Sequence, residues 1–432
     1  MRVRHLVMKS ILCTLLCVLL CLTLAPACAE TAAESTDFAA QLRLNMASET
    51  VKTEVTVKTF VDGDTTHFHV PSSVAEDGVL RARYLAVNTP EITGKVEEHG
   101  KRAAAFTKEK LSGAQSILIE SDDGTWNRDS TGDRYLVWVW YQPQGESDYR
   151  CLNLELLQNG LAIANSTANN RYGSICMAAL NQARSEKLAI YSGQKDPDFY
   201  YGEAVELTLR ELRTNLQTYN GVKVAFNGVV TMNCNQAVYV EALDAETGLF
   251  FGMPVYYGYG LSGAGLEILT VGNEVRIVGT LQYYEAGGTW QVSGLNYRMM
   301  KPNDPGNIQK LSDGHSAAYA PVTAETFHSE VALEAGVFPW AELALGTSVS
   351  MNDLQVTAAY TTDHGSSHGA ITLSCVSHGL PVTVRTEPLY ENGSLISQDR
   401  FEGKTISVKG VVDFYEGDYQ IRVLSDENIT TP

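Results

Sequence analysis

The sequence predicts a mainly β, α+β protein in which a five-stranded OB-type barrel with three helices is followed by two further OB-like β-barrels. Three observations carry this expectation. Short runs alternating apolar and polar residues recur in both halves of the chain. In the first half, helix-spaced stretches fall between and after those runs. In the second half, Gly272-Asn273-Glu274-Val275-Arg276-Ile277-Val278-Gly279, with Tyr283-Tyr284-Glu285 and Trp290-Gln291-Val292 after it, is repeated. Its second copy is Gly403-Lys404-Thr405-Ile406-Ser407-Val408-Lys409-Gly410, with Phe414-Tyr415-Glu416 and Tyr419-Gln420-Ile421. Each copy reads as strand, turn and strand, closing a segment of roughly 80 residues, the size of a small barrel.

Taken in order, Val55, Val57, Thr59 and Val61 share one face of a strand that ends at the Asp62-Gly63 turn. Residues 66–70 and 79–87 are the second and third strands. Residues 101–111 (KRAAAFTKEKL) have helical composition. Residues 116–120 and 135–141 form a hairpin, with Gly124 and Gly132 breaking the connection. Asn153 is placed to cap a short helix that Gly160 ends, and residues 175–187 form a last helix. Asp196-Pro197-Asp198 opens a linker, and residues 206–217 (ELTLRELRTNLQ) read as a helix leading into the second half.

Arg2, Arg4 and Lys9, an apolar run from Ile11 to Leu24, and Ala27-Cys28-Ala29 together read as a signal peptide over 1–29. The run is too short to span a bilayer, so the mature chain is expected to have no membrane span. A retained anchor is the alternative. Lipidation of Cys28 fits less well, because Ala25 stands where a lipobox has Leu. The chain is therefore expected to be secreted, with attachment to the cell surface left open. The expected partition continues with a disordered leader at 30–50, a first domain at 51–193 and a linker with a helix at 194–217. OB-like domains follow at 218–300 and 345–428, joined by a linker at 301–344.

Four cysteines leave with the signal; Cys151, Cys176, Cys234 and Cys375 remain, which permits two disulfides without requiring them. Cys151–Cys176 is the pair to test first. Net charge is −18. Residues 194–432 carry 13 basic against 28 acidic side chains, whereas residues 51–193 carry 15 against 18. A basic stripe is the usual footprint of nucleic-acid binding. The second half lacks one, so its barrels read as structural or surface-attachment modules with no assigned partner. His364, His368 and His378 sit in loop context and do not read as a zinc site, and His67 and His69 are expected to face solvent. Three Asn-x-Ser/Thr sequons, at Asn165, Asn392 and Asn428, mark surface positions only if the chain is glycosylated.

Three short stretches in the first domain carry chemistry: Asp62-Gly63-Asp64-Thr65, then Arg83 ahead of Asn88-Thr89-Pro90-Glu91, then Arg134. Asp64, the Asn88 amide oxygen and the Thr89 carbonyl make an all-oxygen set, which favours Ca2+ over zinc. Glu91 is a candidate base. Arg83 and Arg134 offer planar forks for phosphate oxygens, whereas Arg81 reads as a surface residue. Together these groups suit cleavage of a phosphodiester in water.

On these motifs, with GKRAAAFTKEKL, LNLELLQNGLA and ARSEKLAIY, the stretch from Val55 to Gly193 resembles the staphylococcal nuclease (thermonuclease) family. The resemblance implies calcium-dependent endonucleolytic hydrolysis of DNA and RNA leaving a 3′-phosphate. It implies Asp64, Asn88 and Thr89 on the metal, Glu91 on the attacking water, and Arg83 and Arg134 on the phosphate. The best-known members have aspartate where this chain has Asn88. They also have nucleotide-packing tyrosines where it has Asn165-Ser166-Thr167-Ala168 and Ser130-Thr131-Gly132, so weaker substrate binding is expected. The competing expectation is a non-catalytic nucleic-acid-binding or cell-surface protein with a degraded site.

Overall fold

The computed structural model describes residues 35–363 and 367–431. The expected signal peptide, the first residues of the expected leader and His364 lie outside them. Strands β1 (Lys52–Phe60), β2 (Thr65–His69), β3 (Val79–Tyr84), β4 (Ala114–Glu120) and β5 (Tyr135–Pro143) form the first sheet. Four neighbouring pairs in this sheet are antiparallel, and a parallel β3–β5 pair (Ala82 opposite Tyr135) closes it into a barrel.

The same plan occurs twice more. Strands β6 (Lys223–Asn233), β7 (Ala237–Leu243), β8 (Phe250–Tyr256), β9 (Glu274–Tyr284) and β10 (Thr289–Ser293) make the second barrel. Strands β11 (Ser348–Thr361), β12 (Ile371–Ser377), β13 (Leu380–Thr386), β14 (Thr405–Tyr415) and β15 (Asp418–Val423) make the third. In both, the third and fifth strands pair in parallel, Val255 with Val292 and Val384 with Ile421. The two copies of the sequence repeat are the fourth and fifth strands of these barrels. Closure removes exposed sheet edges and gives each barrel its own apolar core.

Helices α1 (Gly100–Ser112), α2 (Leu152–Gln158) and α3 (Gly173–Ser185) accompany the first barrel. Several local expectations change here. The third strand stops at Tyr84, because Ala86 takes a left-handed conformation (φ 68°). Val87–Asn88 then pairs separately with Ile163–Ala164. Asn153 is not a cap: Cys151 precedes the helix. The Asn153 side chain is wholly buried, accepts from the Val139 N–H (2.8 Å) and donates to the carbonyls of Leu85 (2.9 Å) and Val137 (3.1 Å). It thus pins β5 to the turn that leads to Asn88. Asn153→Ala takes the side-chain partner from the buried Val139 N–H and Leu85 carbonyl, while the Val137 carbonyl keeps the Leu85 N–H, and is expected to cost about 2–4 kcal/mol, read from denaturant unfolding; a loss below 1 kcal/mol would contradict the role.

Part of the stretch expected to be a leader carries secondary structure and buried side chains. Phe38–Gln41 is helical, Ala39 is fully buried, and its N–H donates to Gln158 Oε1 (3.1 Å). Thr50 donates to Glu120 (2.6 Å), a buried carboxylate that also accepts from the Trp140 indole and the Tyr172 hydroxyl (both 2.9 Å). The helix expected over 206–217 is shorter: Val205–Glu206 pairs with β6, and α4 (Leu209–Thr214) starts at a Thr208/Glu211 capping box. The expected linker at 301–344 is structured too. Gln309–Ser312 adds to β9, and the hairpin Glu330–Leu333/Gly336–Pro339 packs Val331 and Phe338 on the second core.

No disulfide is present among the described residues; Cys151, Cys176, Cys234 and Cys375 are free. Cys151 and Cys176 are fully buried, and burial pushes the Cys176 thiol up to about 12 and the Cys151 thiol well above its usual value. They act as small apolar core groups. None of the described helices is long and apolar enough to cross a membrane.

The second and third barrels meet along a close seam. Glu241 of β7 is buried and accepts from the Ser348 N–H (2.6 Å), the Ser348 hydroxyl (2.8 Å) and the Ala318 N–H (3.0 Å). Gly252 faces Gly346 so closely that a Cβ there would stand 2.4 Å from the Gly346 carbonyl carbon. Only a glycine pair allows the two backbones that approach.

Candidate active site

The site forms where the β1–β2 turn meets the end of β3. Gly63 lets the turn press against the first helix: a Cβ at Gly63 would lie 2.8 Å from the Thr89 side chain and 2.9 Å from Ala103, and the Gly63 carbonyl accepts from Thr107 (2.6 Å). That packing buries Asp62 and Asp64, which are 5% and 1% exposed. The Asp62 carboxylate accepts from the Asp64 N–H (3.2 Å), so the turn fixes both acids together.

Asp64 is the centre of the network. Its Oδ2 accepts from the Thr89 N–H (2.8 Å), and its Oδ1 accepts from the Thr65 hydroxyl (3.1 Å) and from Arg83 Nη1. The other arm of the Arg83 fork, Nη2, donates to Asn88 Oδ1. Arg83 thus bridges two of the oxygens expected on the metal. Glu91 joins as a neighbour of Asp62, close enough to feel its charge, and its own N–H donates to Glu97 (3.2 Å). Burial, and then the charge of Asp62, push the Glu91 carboxyl up to about 7. The same two causes raise Asp64, against the pull of Arg83 and the Thr89 N–H. Three acids crowd one guanidinium, so two of them hold their protons more tightly than an ordinary carboxyl does.

Asp64, Asn88, Thr89, Arg83 and Glu91 therefore lie together in one cluster. Arg134 is at the start of β5 but turned to Asp129, with Nε at 2.7 Å and Nη2 at 2.6 Å from the carboxylate. Asp62 is the member that sequence reasoning left without a role; the signal was its spacing, two residues before Asp64 across a tight turn.

Among the described residues, no group of three or more His, Cys, Asp or Glu is arranged to hold a metal on its own. The donor set here differs, because it includes an amide and a peptide carbonyl. Its chemistry fits a hard divalent cation: buried acids in excess of their counter-charge, and a Thr89 hydroxyl that is buried without a partner. Asp64, Asn88 and Thr89 are the residues that would hold it.

His67 departs from the solvent-facing expectation. It is half-buried on β2, opposite Thr59 and Arg81, and burial, then Arg81 and Lys58, lower it from 6.5 to about 4, against Asp62 and Asp77. A depressed histidine favours the fold above the unfolded value, and that contribution is lost as pH falls through the folded one. Stability should drop between about pH 6.5 and pH 4, and His67→Gln should flatten that drop in thermal unfolding. An unchanged acid limb would refute the assignment. Arg81 is exposed and paired with Asp77 (3.3 Å), as expected of a surface residue.

Fold and site together define a protein whose first barrel is built around a carboxylate–guanidinium centre, with two accessory barrels of the same plan. Residues 81–193 match the family model described as staphylococcal nuclease homologue. This stretch is a staphylococcal-nuclease-type domain, and the domain is of a nuclease family. The match includes Arg83, Asn88, Thr89, Glu91 and Arg134. Asp62 and Asp64 precede it, and the closed barrel brings them in.

Proposed function

We propose that the protein is a secreted, calcium-dependent endonuclease that hydrolyses phosphodiester bonds of DNA and RNA and leaves 3′-phosphate ends. The observation that carries this reading is the convergence of the buried Asp62, Asp64, Arg83 and Thr89 with the half-buried Asn88 and Glu91 in one cluster inside a nuclease-family domain. A bound Ca2+ supplies charge neutralisation of the phosphate and of the acids around it. Glu91 accepts a proton from the attacking water. A carboxyl raised to about 7 is suited to this near neutral pH, where it is a stronger base than an ordinary glutamate and still substantially ionised. Arg83 and Arg134 hold the phosphate oxygens, Arg134 by exchanging Asp129 for substrate, and stabilise charge that grows in the transition state.

The test is degradation of single-stranded DNA by the full chain. With millimolar Ca2+ the chain should cut the strand, and excess chelator should abolish cutting reversibly. Equal rates with Ca2+ and with chelator would overturn the proposal.

A further inference from the structure

The family match ends at residue 193, yet the chain just beyond it turns back to the loop that carries Glu91. Asp196 is only 2% exposed. Its Oδ2 accepts from the His99 N–H (2.6 Å) and its Oδ1 from the Asp198 N–H (3.0 Å). Its own N–H donates to the Tyr201 hydroxyl (2.9 Å). Phe199 meets the Tyr201 ring in a T-shaped contact with centroids 4.9 Å apart, and the Lys195 ammonium lies over that ring at 4.6 Å. The expected linker thus opens with a braced, buried carboxylate.

His99 is where that carboxylate acts. It stands just before α1 in a left-handed conformation (φ 65°), and its side chain makes no cap to the helix. Its buried Nδ1 has no partner either, so the side chain does not anchor the residue. A residue with a Cβ holds this conformation at a cost that its surroundings must offset. The Asp196 carboxylate does so, beside the positive end of a 13-residue helix. The next residue touches the site. A Cβ at Gly100 would stand 2.6 Å from the Glu91 carbonyl oxygen and 3.0 Å from that of Pro90. The Gly100 N–H donates to the Glu97 carbonyl (3.1 Å), and Glu97 is tied twice to Glu91. Its N–H donates to the Glu91 carbonyl (2.9 Å), and its carboxylate accepts from the Glu91 N–H (3.2 Å). Where α1 begins therefore decides where Glu91 sits.

We propose that Asp196 is a positioning residue of the active site: by accepting from the His99 N–H it fixes the start of α1 and, through Gly100 and Glu97, the loop that presents Glu91 to the attacking water. The role of Glu91 rests on the nuclease reading; the hold of Asp196 on the loop does not. The working site then extends past the family domain, and a chain ending at residue 193 lacks one of its supports.

Cleavage of single-stranded DNA in Ca2+ is measured for the full chain with Asp196→Ala, alone and combined with Glu91→Gln. Asp196→Ala should lower kcat about 10–100-fold and leave KM within about twofold, as expected for a catalytic group displaced by an ångström or so. In the Glu91→Gln background the same change should cost less than about threefold, because nothing is left to position. Asp196→Asn keeps an oxygen for the His99 N–H and should recover most of the loss. Equal fold-losses in the two backgrounds would overturn the proposal. Hydrogen exchange gives a readout independent of activity. The peptide covering residues 91–100 should exchange at least about tenfold faster in Asp196→Ala, while β4 and β5 keep their parent rates and show that the barrel is folded. If Asp196→Ala does not fold, Tyr201→Phe, which removes only the hydroxyl behind Asp196, should show the same pattern at smaller size. If the wild-type chain fails to cut DNA with Ca2+, the nuclease reading falls and exchange alone decides: a faster loop upholds the role of Asp196, and an unchanged one overturns it.

Discussion

Glu91→Gln is expected to lower calcium-dependent DNA hydrolysis by about 10²–10⁴-fold, the usual worth of a positioned acid or base. The substitution keeps the side-chain length and one carbonyl oxygen, but the amide cannot take a proton from water. Glu91 sits half-buried beside Asp62, and burial followed by that neighbouring charge is what raises its carboxyl. Removing one charge from a crowded acidic cluster relieves repulsion, so thermal stability should hold or rise slightly while activity collapses. Initial rates and unfolding midpoints measured on one preparation separate these effects. Activity within tenfold of wild type would remove Glu91 from the role of base.

Arg83→Ala should lower the rate by about 10²–10³-fold, the range seen when a single preorganised donor to transition-state charge is lost. Its effect on stability is the more informative part. Arg83 is 9% exposed and is the guanidinium that contacts both Asp64 and Asn88. Without it, Asp62 and Asp64 remain buried with the nearest counter-charge gone. Breaking a buried pair from one side costs about 3–5 kcal/mol, and uptake of a proton by Asp64 would reduce that figure. Added Ca2+ should then recover more stability in the variant than in wild type, because in the cation-free chain Arg83 already covers two of the oxygens the cation would use. The measurement is the rise of the unfolding midpoint across a Ca2+ titration in chelated buffer. A rise no larger than that of wild type would show that Arg83 and the cation do not compete for the same charge.

Much of this architecture is legible in the sequence, for identifiable reasons. Alternation through Val55, Val57 and Thr59 and the repeat at Gly272 and Gly403 come from side chains that must alternate across a barrel wall, so strand identity survives without tertiary knowledge. Asp64, Arg83, Asn88 and Glu91 are legible because a tight turn and one strand end fix their spacing. Asn153 is read as a cap because Asn favours that position locally, but its hydrogen bonds run to β5 and to Leu85, and such partners have no trace in neighbouring residues. Arg134 looks free in sequence because Asp129, five residues earlier, binds it only once the loop has closed. The contact between barrels is the least legible feature. Glu241 and Ser348 are 107 positions apart in the chain, and only the packing of two barrels makes them neighbours.

The seam around Glu241, finally, governs how the molecule can move. Backbone meets backbone at Gly252 and Gly346, and Glu241 ties β7 to the first residue of β11. The second barrel therefore cannot roll on the third, and the two turn as a single arm. A load placed on either barrel is therefore carried into the other through Glu241 and the Gly252–Gly346 contact.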